Sequence, residues 1–209
     1  MPLNDLPEQI KLHIVKSVNG DDYHNKPNTF SLTELLYCVR KSFYRRKIPR
    51  DLDLESSFNI YRGKVFDNLW CGLFQHNQVR STYRCRHIPI TISGKYDFIT
   101  SNNVLTDLKT TKSLYYIKEP SEEYKKQVRF YAWLNSLDKA QIIYIDFGDC
   151  KVFPVEVGDC TELFEELEDK AAQLYFALEN CVPPVKGADG WMCKKCEYAE
   201  NCKEDEDGV

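Results

Sequence analysis

The sequence predicts a mixed α/β domain in which a small sheet is flanked by helices. Apolar residues recur with helical spacing in some stretches and alternate as in strands in others, so both kinds of element are expected. The predicted order is helix, helix, hairpin, helix, hairpin, helix and a cysteine-rich tail. The 209 residues fit one domain, or one domain with a small appendage, and can bury a core without disulfides.

Two helices are predicted after an irregular polar segment at 1–28. The first covers TFSLTELLYCVRKSFYRR, where Ser31 and Glu34 have the spacing of a capping box. The second covers 56–75. It carries an apolar stripe at positions i, i+4 and i+8: Val65, Leu69 and Leu73.

The remaining elements follow the same reasoning. Strands are predicted at 87–100 and 103–111, and a helix at 122–137. AQIIYID and KVFPVEV form a second hairpin around a Gly-Asp turn, and 161–180 is a strongly amphipathic helix. Its apolar stripe contains Leu163, Leu167, Ala171, Leu174 and Leu178. The predicted segments are an irregular N-terminus at 1–28, a core at 29–180 and a cysteine-bearing tail at 181–209.

The first hairpin places two aspartates opposite each other. If Thr100 faces Val104 across the turn, opposed residue numbers sum to 204, and Asp97 lies opposite Asp107. Lys109 shares the face of Asp107 because strand side chains alternate. A register slip of one residue would move one aspartate to the other face.

Two carboxylates this close repel each other unless one is protonated or a cation bridges them. Carboxylate oxygens suit Mg²⁺ or Mn²⁺, and a neighbouring lysine can stabilise the charge that develops on a phosphate. Asp97, Asp107 and Lys109 therefore suit metal-assisted hydrolysis of a phosphodiester. The competing interpretation is a solvated hairpin in which Lys109 simply neutralises Asp107.

Three motifs in order carry a family resemblance. Gly94-x-x-Asp97 is followed by Asp107-x-Lys109 and then by Gln127-x-x-x-Tyr131 on a predicted helix. This order resembles the PD-(D/E)xK nucleases of RecB type. The resemblance implies a restriction-endonuclease-like core with Asp97, Asp107 and Lys109 as catalytic residues. It gives Gln127 and Tyr131 a role behind the site or against DNA.

The nine cysteines include a C-terminal triplet, Cys193, Cys196 and Cys202, while Cys38 lies near the N-terminus. Clustered thiols in a chain without a predicted leader indicate a metal or cluster before disulfides. The arrangement resembles the fourth CRISPR-associated nuclease family (Cas-four) and AddB-type nuclease domains. That resemblance implies an iron–sulfur cluster on these four residues, 4Fe-4S with 2Fe-2S as the runner-up, in a structural role. Zinc is a third alternative.

One position departs from the family pattern. The relatives carry a histidine metal ligand in a G-x-x-x-H helix, whereas this chain has Gly63 followed by Asp67. A carboxylate there would be a third ligand for a hard ion such as Mg²⁺ or Mn²⁺. The same change raises a second hypothesis, a catalytically weakened iron–sulfur DNA-binding or decoy protein.

The functional expectation is a metal-dependent exonuclease that acts on single-stranded DNA, with 5′ to 3′ polarity carried over from the family. It would serve CRISPR spacer acquisition with integrase partners, or recombination in a virus or mobile element; homo-oligomerisation stays open. A basic stretch at 40–50 would contact phosphates, despite the net charge of −4. Its expected contact residues are Arg40, Lys41, Arg45 and Arg46.

The sequence shows no feature of a membrane protein. No apolar run approaches the roughly 20 residues of a membrane-spanning helix. The N-terminal stretch lacks the apolar region of a signal peptide. A cytoplasmic protein is therefore expected.

Overall fold

A computed structural model describes residues 3–19, 26–187, 191–194 and 196–207. Its helices are α1 (Glu8–Asn19), α2 (Leu32–Leu36), α3 (Val39–Lys47), α4 (Leu54–Cys71), α5 (Glu122–Leu134), α6 (Thr161–Asn180), α7 (Trp191–Lys194) and α8 (Ala199–Asp207). Its strands are β1 (Thr29–Ser31), β2 (His76–Asn77), β3 (Arg80–Arg84), β4 (Thr91–Lys95), β5 (Phe98–Ile99), β6 (Leu105–Thr110), β7 (Lys139–Ile145) and β8 (Cys150–Glu156). Short 3₁₀ helices occupy Leu3–Asp5 and Leu114–Tyr116.

The chain divides into two units, each assembled from three sequence segments. The first unit contains 1–23, 51–81 and 94–160, and the second contains 24–50, 82–93 and 161–209. The predicted helix over 161–180 and the hairpin of β7 and β8 are confirmed.

A five-stranded sheet in the order β2-β5-β6-β7-β8 organises the first unit. β6 pairs with β5 in antiparallel and with β7 in parallel orientation. The predicted register of the first hairpin is confirmed, because Ile99 faces Leu105 and Phe98 faces Thr106. Apolar side chains cover one face of this sheet, with Cys71, Phe98, Leu108, Ile143 and Ile145 at the centre of the cluster.

The strand predicted over 87–100 is interrupted at Tyr96 and Asp97. The segment before the interruption, β4, pairs in parallel with β1 in a three-stranded sheet, and the segment after it, β5, joins the five-stranded sheet. The backbone of Tyr96 and Asp97 bonds outside both ladders, since Tyr96 N donates to Val79 O and Gln78 N to Asp97 O. One predicted strand therefore contributes to two sheets.

The prediction of one continuous helix after residue 30 is wrong, because the second unit contains two short helices there. Ser31 and Glu34 form the expected capping box on α2. The backbone is extended at Tyr37 and Cys38, so a separate helix, α3, begins after Cys38. The break leaves the carbonyl oxygen of Glu34 without a helical hydrogen bond. The Ser42 hydroxyl donates a hydrogen bond to this oxygen at 2.9 Å.

Two further predictions in the first unit are wrong. The segment predicted as irregular contains α1, whose Ile14 is buried. The predicted stripe of α4 does not face the core: Leu69 and Leu73 are 66% and 79% exposed, and Val65 is also exposed. A neighbouring set of α4 side chains packs on the apolar cluster instead: Phe66, Trp70 and Cys71.

None of the helices in the described ranges is long and apolar enough to span a membrane.

Candidate active site

β6 carries the D-x-K motif on one face. Asp107 and Lys109 point the same way, and Lys109 Nζ lies 2.6 Å from Asp107 Oδ2 with both side chains largely buried. The residue between them, Leu108, faces the apolar cluster on the other side of the sheet. Among the described residues, Asp107 Oδ2 has no hydrogen-bond partner beyond this ion pair. Lys109 therefore supplies the positive charge that balances a buried carboxylate.

Asp97 lies at the end of the neighbouring strand and reaches across to β6. Its Oδ2 accepts a hydrogen bond from Leu108 N at 2.7 Å, and its Oδ1 one from Gln78 Nε2 at 3.4 Å. Burial and the charge of Asp107 raise the pKa of Asp97 to about 7, although Lys109 opposes the rise. Asp97 therefore holds a proton more readily than an ordinary aspartate, and a bound cation would favour its charged form.

Asp67 is brought to the same group by α4. One turn earlier, Gly63 faces β6, because a β-carbon there would lie 3.8 Å from Thr110 Oγ1. Burial, opposed by the charge of Lys109 and assisted by that of Asp107, raises the pKa of Asp67 to about 6. The charge of Asp67, which the sequence predicted as a third metal ligand, is therefore electrostatically linked to the D-x-K pair.

The positive charge of Lys109 is set by its acidic neighbours. Burial disfavours the ammonium form, but Asp107 and Asp97 outweigh this effect, so the pKa of Lys109 is raised above its ordinary value. Its Nζ also lies 4.6 Å from the centre of the Tyr124 ring. Lys109 remains a cation beside two carboxylates.

α5 connects the Q-x-x-x-Y motif to the first aspartate motif. Tyr131 is almost fully buried, and Gln127 hydrogen-bonds its hydroxyl group. A β-carbon on Gly94 would come within 3.0 Å of Tyr131 Cζ and closer still to its hydroxyl oxygen. Burial and the charge of Asp107 raise the pKa of Tyr131, so the hydroxyl stays protonated. The three sequence motifs thus converge within the first unit.

Within the described residues, no three or more His, Cys, Asp or Glu side chains are arranged to hold a metal ion. The donor set nevertheless suits a hard divalent cation. Asp107 Oδ2 has no hydrogen bond beyond its ion pair with Lys109, and Asp97 and Asp67 are pushed toward protonation by burial and by the charge of Asp107. A divalent cation would relieve this repulsion, and oxygen ligands are those that Mg²⁺ and Mn²⁺ prefer.

The basic residues of the stretch 40–50 differ in their exposure, and some of them have structural roles. Arg46 forms a buried pair with Glu34, with Nε 2.7 Å from Oε1, and its guanidinium stacks over Phe30. Arg40 is buried as well, and Lys41 pairs with Glu197 at 2.9 Å. Arg45 is half-exposed. Arg46 and Arg40 therefore lack the exposure that a phosphate contact needs.

The four cysteines predicted to hold a cluster all belong to the second unit. Cys38 directly precedes α3, and α3 packs against the C-terminal segment through Tyr44, which stacks on Tyr198 and donates to Asn201 O at 3.2 Å. Arg50 adds a hydrogen bond to Glu197 O at 2.7 Å. These contacts join the two regions that carry the cysteines, while the cluster itself stays a prediction.

Two residues of the site were missed in the sequence. Gln78 braces Asp97, and nothing local marks it, because the contact joins distant parts of the chain. Tyr124 could have been found, since Tyr124, Gln127 and Tyr131 share one face of a helix at i, i+3 and i+7.

A sheet flanked by helices, with a buried D-x-K strand facing a second aspartate, defines a nuclease-type centre. Residues 28–203 match the PD-(D/E)XK nuclease superfamily. The chain belongs to this superfamily, and its fold is the mixed α/β nuclease fold. The family supports a metal-dependent nuclease.

Solved structures share the fold at low sequence identity. The structure of SSO0001 has a TM-score of 0.71 at 20% identity, covering 94% of this chain and 96% of that one. An alkaline exonuclease (LHK-Exo) from Laribacter hongkongensis has a TM-score of 0.50 at 11% identity, covering 76% of this chain and 94% of that one. No curated protein matches the chain.

Proposed function

We propose that this protein is a metal-dependent exonuclease that hydrolyses phosphodiester bonds of single-stranded DNA from the 5′ end. The observation that carries the proposal is the buried Asp107 carboxylate, whose Oδ2 lies 2.6 Å from Lys109 Nζ and whose charge raises the pKa values of Asp97 and Asp67. Asp97, Asp107 and Asp67 would hold Mg²⁺ or Mn²⁺. When bound, the metal would polarise the scissile phosphate and lower the pKa of a bound water.

The chain's own residues supply the remaining chemistry. Lys109, kept charged by Asp107 and Asp97, would orient the nucleophile and stabilise negative charge on the phosphate. Gln127 would orient the Tyr131 hydroxyl through their hydrogen bond, and Tyr131 would hold β4 in place by packing against Gly94. Both residues therefore act as positioning residues.

We further propose that Cys38, Cys193, Cys196 and Cys202 hold an iron–sulfur cluster that ties α3 to the C-terminal segment. The packing of Tyr44 on Tyr198 supports this pairing of regions. The Cas-four resemblance suggests a role in CRISPR spacer acquisition beside integrase proteins. Recombination in a virus or mobile element is the other setting.

Two features favour a second function. The short ion pair between Lys109 and Asp107 occupies the carboxylate that a metal would need, and Asp67 stands at the histidine position. A non-catalytic iron–sulfur DNA-binding protein would keep this arrangement.

The deciding experiment follows cleavage of labelled single-stranded DNA with one end blocked, in Mn²⁺, Mg²⁺ or EDTA. We expect metal-dependent loss of nucleotides from a free 5′ end, and a drop of at least about 100-fold in Lys109→Ala. Lys139→Ala, which removes an exposed lysine on β7, is the matched control. Absence of metal-dependent cleavage by the unmutated, metal-loaded protein would reject the exonuclease proposal.

A further inference from the structure

Two exposed tyrosines follow the strand that carries the D-x-K motif. Tyr115 and Tyr116 are 83% and 79% exposed, and their rings meet edge to face with centroids 5.1 Å apart. Side chains this exposed add little to folding through burial. An adjacent pair of large aromatic rings in water is therefore available for a ligand.

The backbone beneath these rings is firmly held. Leu114 is buried, and its N–H donates to Asp146 Oδ2 at 3.0 Å. Lys151 Nζ donates to Leu114 O at 2.8 Å and to Ile117 O at 3.0 Å. The two tyrosines are thus presented on a fixed support, which lowers the entropy lost when a ligand binds.

The charges around the pair suit a polyanion. Lys112 and Lys118 are exposed on either side of it. Two acids beside this segment are engaged: Glu119 pairs with Lys125 at 3.7 Å, and Asp146 accepts hydrogen bonds from the backbone N–H groups of Leu114, Gly148 and Asp149. Two rings flanked by lysines have the chemistry of a surface that stacks bases and attracts phosphates.

We propose that Tyr115 and Tyr116 form a stacking platform for bases of single-stranded DNA, with Lys112 and Lys118 contacting its phosphates. Tyr115 lies six residues after Lys109, so the chain between them spans at most about 20 Å. The platform would hold a strand within a few nucleotides of the D-x-K pair. Duplex DNA keeps its bases stacked on each other, so this platform would select single strands. The inference rests on the proposed nuclease function for its biological meaning, but not for its test.

The test measures DNA binding in EDTA, where metal-dependent cleavage cannot occur, by fluorescence anisotropy of a labelled oligo-dT. We expect the double variant Tyr115→Ala/Tyr116→Ala to weaken binding by at least about tenfold, since a stacked base contributes strongly to single-strand affinity. Tyr115→Phe/Tyr116→Phe keeps the rings and should bind as tightly as the unmutated protein. Phe176→Ala is the matched control, because Phe176 is an exposed ring in a similar edge-to-face pair with Tyr175.

An abasic oligonucleotide of the same length separates stacking from charge. The unmutated protein should bind it at least about tenfold more weakly than oligo-dT, and the alanine variant should bind the two alike. The comparison of the two oligonucleotides with the unmutated protein does not depend on whether the variant folds. Equal affinity of the unmutated protein for the two strands, or binding by a folded alanine variant at the original strength, would overturn the platform.

The outcomes remain distinct from those of the nuclease assay. Tyrosine-dependent binding without metal-dependent cleavage would support the platform and reject the exonuclease. Metal-dependent cleavage together with binding that does not depend on the two tyrosines would support the exonuclease and reject the platform. If the alanine variant instead loses association with another protein while DNA binding is intact, the surface is a protein contact and the proposal is wrong.

Discussion

The α-carbon of Gly94 lies directly against the ring of Tyr131. A β-carbon at position 94 would collide with the Tyr131 hydroxyl oxygen and lie 3.0 Å from Tyr131 Cζ, so an atom would have to shift. The ring cannot retreat easily, because Tyr131 is 2% exposed and hydrogen-bonded by Gln127. This contact therefore explains why Tyr131 needs a residue without a β-carbon at position 94.

Gly94→Ala should disturb this contact. We expect a loss of about 1–3 kcal/mol in the free energy of unfolding, measured in urea, because the added methyl group overpacks a buried site. Gly187→Ala is the control, since nothing lies within 4 Å of a β-carbon there. Adding Tyr131→Phe should recover part of the loss by removing the closest atom. Equal stability of Gly94→Ala and Gly187→Ala would contradict the packing argument.

The response to metal should depend on pH. Folded Asp97 has a pKa of about 7, whereas an unfolded aspartate titrates near roughly 4. Between these values the folded state holds a proton that the unfolded state lacks, so the metal-free protein loses stability as pH rises. The rise in Tm caused by Mn²⁺ should therefore be larger at pH 8 than at pH 5.5.

Asp97→Asn should flatten that pH dependence, and Asp138→Asn, at an exposed position, should leave it unchanged. Differential scanning fluorimetry with and without Mn²⁺ measures both. A metal response that shrinks as pH rises would be the wrong sign for a buried carboxylate site.

Asp67 should act as a ligand rather than mark a decayed site. Asp67→Ala should lower the cleavage rate by at least about tenfold, because the site loses a carboxylate ligand and would hold the metal ion less tightly. Asp67→His should recover activity better in Mn²⁺ than in Mg²⁺, since imidazole suits Mg²⁺ poorly. Cleavage by Asp67→Ala at the unmutated rate would show that the side chain is a bystander.

Arg46 and Arg45 should separate stability from DNA binding. Arg46→Ala leaves Glu34 buried without its cation, and we expect a cost of about 3–5 kcal/mol in unfolding free energy. Arg45→Ala should leave stability nearly unchanged and reduce the salt dependence of single-stranded DNA binding by about one charge. Urea unfolding and a salt titration measure the two effects. If Arg46→Ala changed the salt dependence and left stability unchanged, Arg46 would be a DNA contact and the structural role would be wrong.

The cysteine cluster has a direct chemical test. Protein purified without oxygen should be brown, absorb near roughly 400 nm and contain iron and acid-labile sulfide. Cys202→Ser should lose most of the iron, whereas Cys150→Ser, at an exposed cysteine on β8, should not. A colourless protein that contains zinc would replace the iron–sulfur proposal with a zinc site.

Sequence reasoning predicted the elements whose determinants are local. The turn at 101–103 set the pairing of Ile99 with Leu105, and Ser31 and Glu34 cap α2 within one turn. The helix over 161–180 was predicted to the residue, because its apolar stripe is long and regular. The face of α4 was misjudged because a second apolar set lies beside the first.

The sequence alone determined the order of the three nuclease motifs and the register that brings Asp97 toward Asp107. Both follow from alternation along strands and from turn length, which act over a few residues. Only the tertiary structure decided that Lys109 acts electrostatically on Asp67 of α4. It also decided that Gln78 hydrogen-bonds Asp97 and that Gly94 packs against Tyr131. Those contacts join segments far apart in the chain, and burial of charge and close packing become defined only when the segments meet.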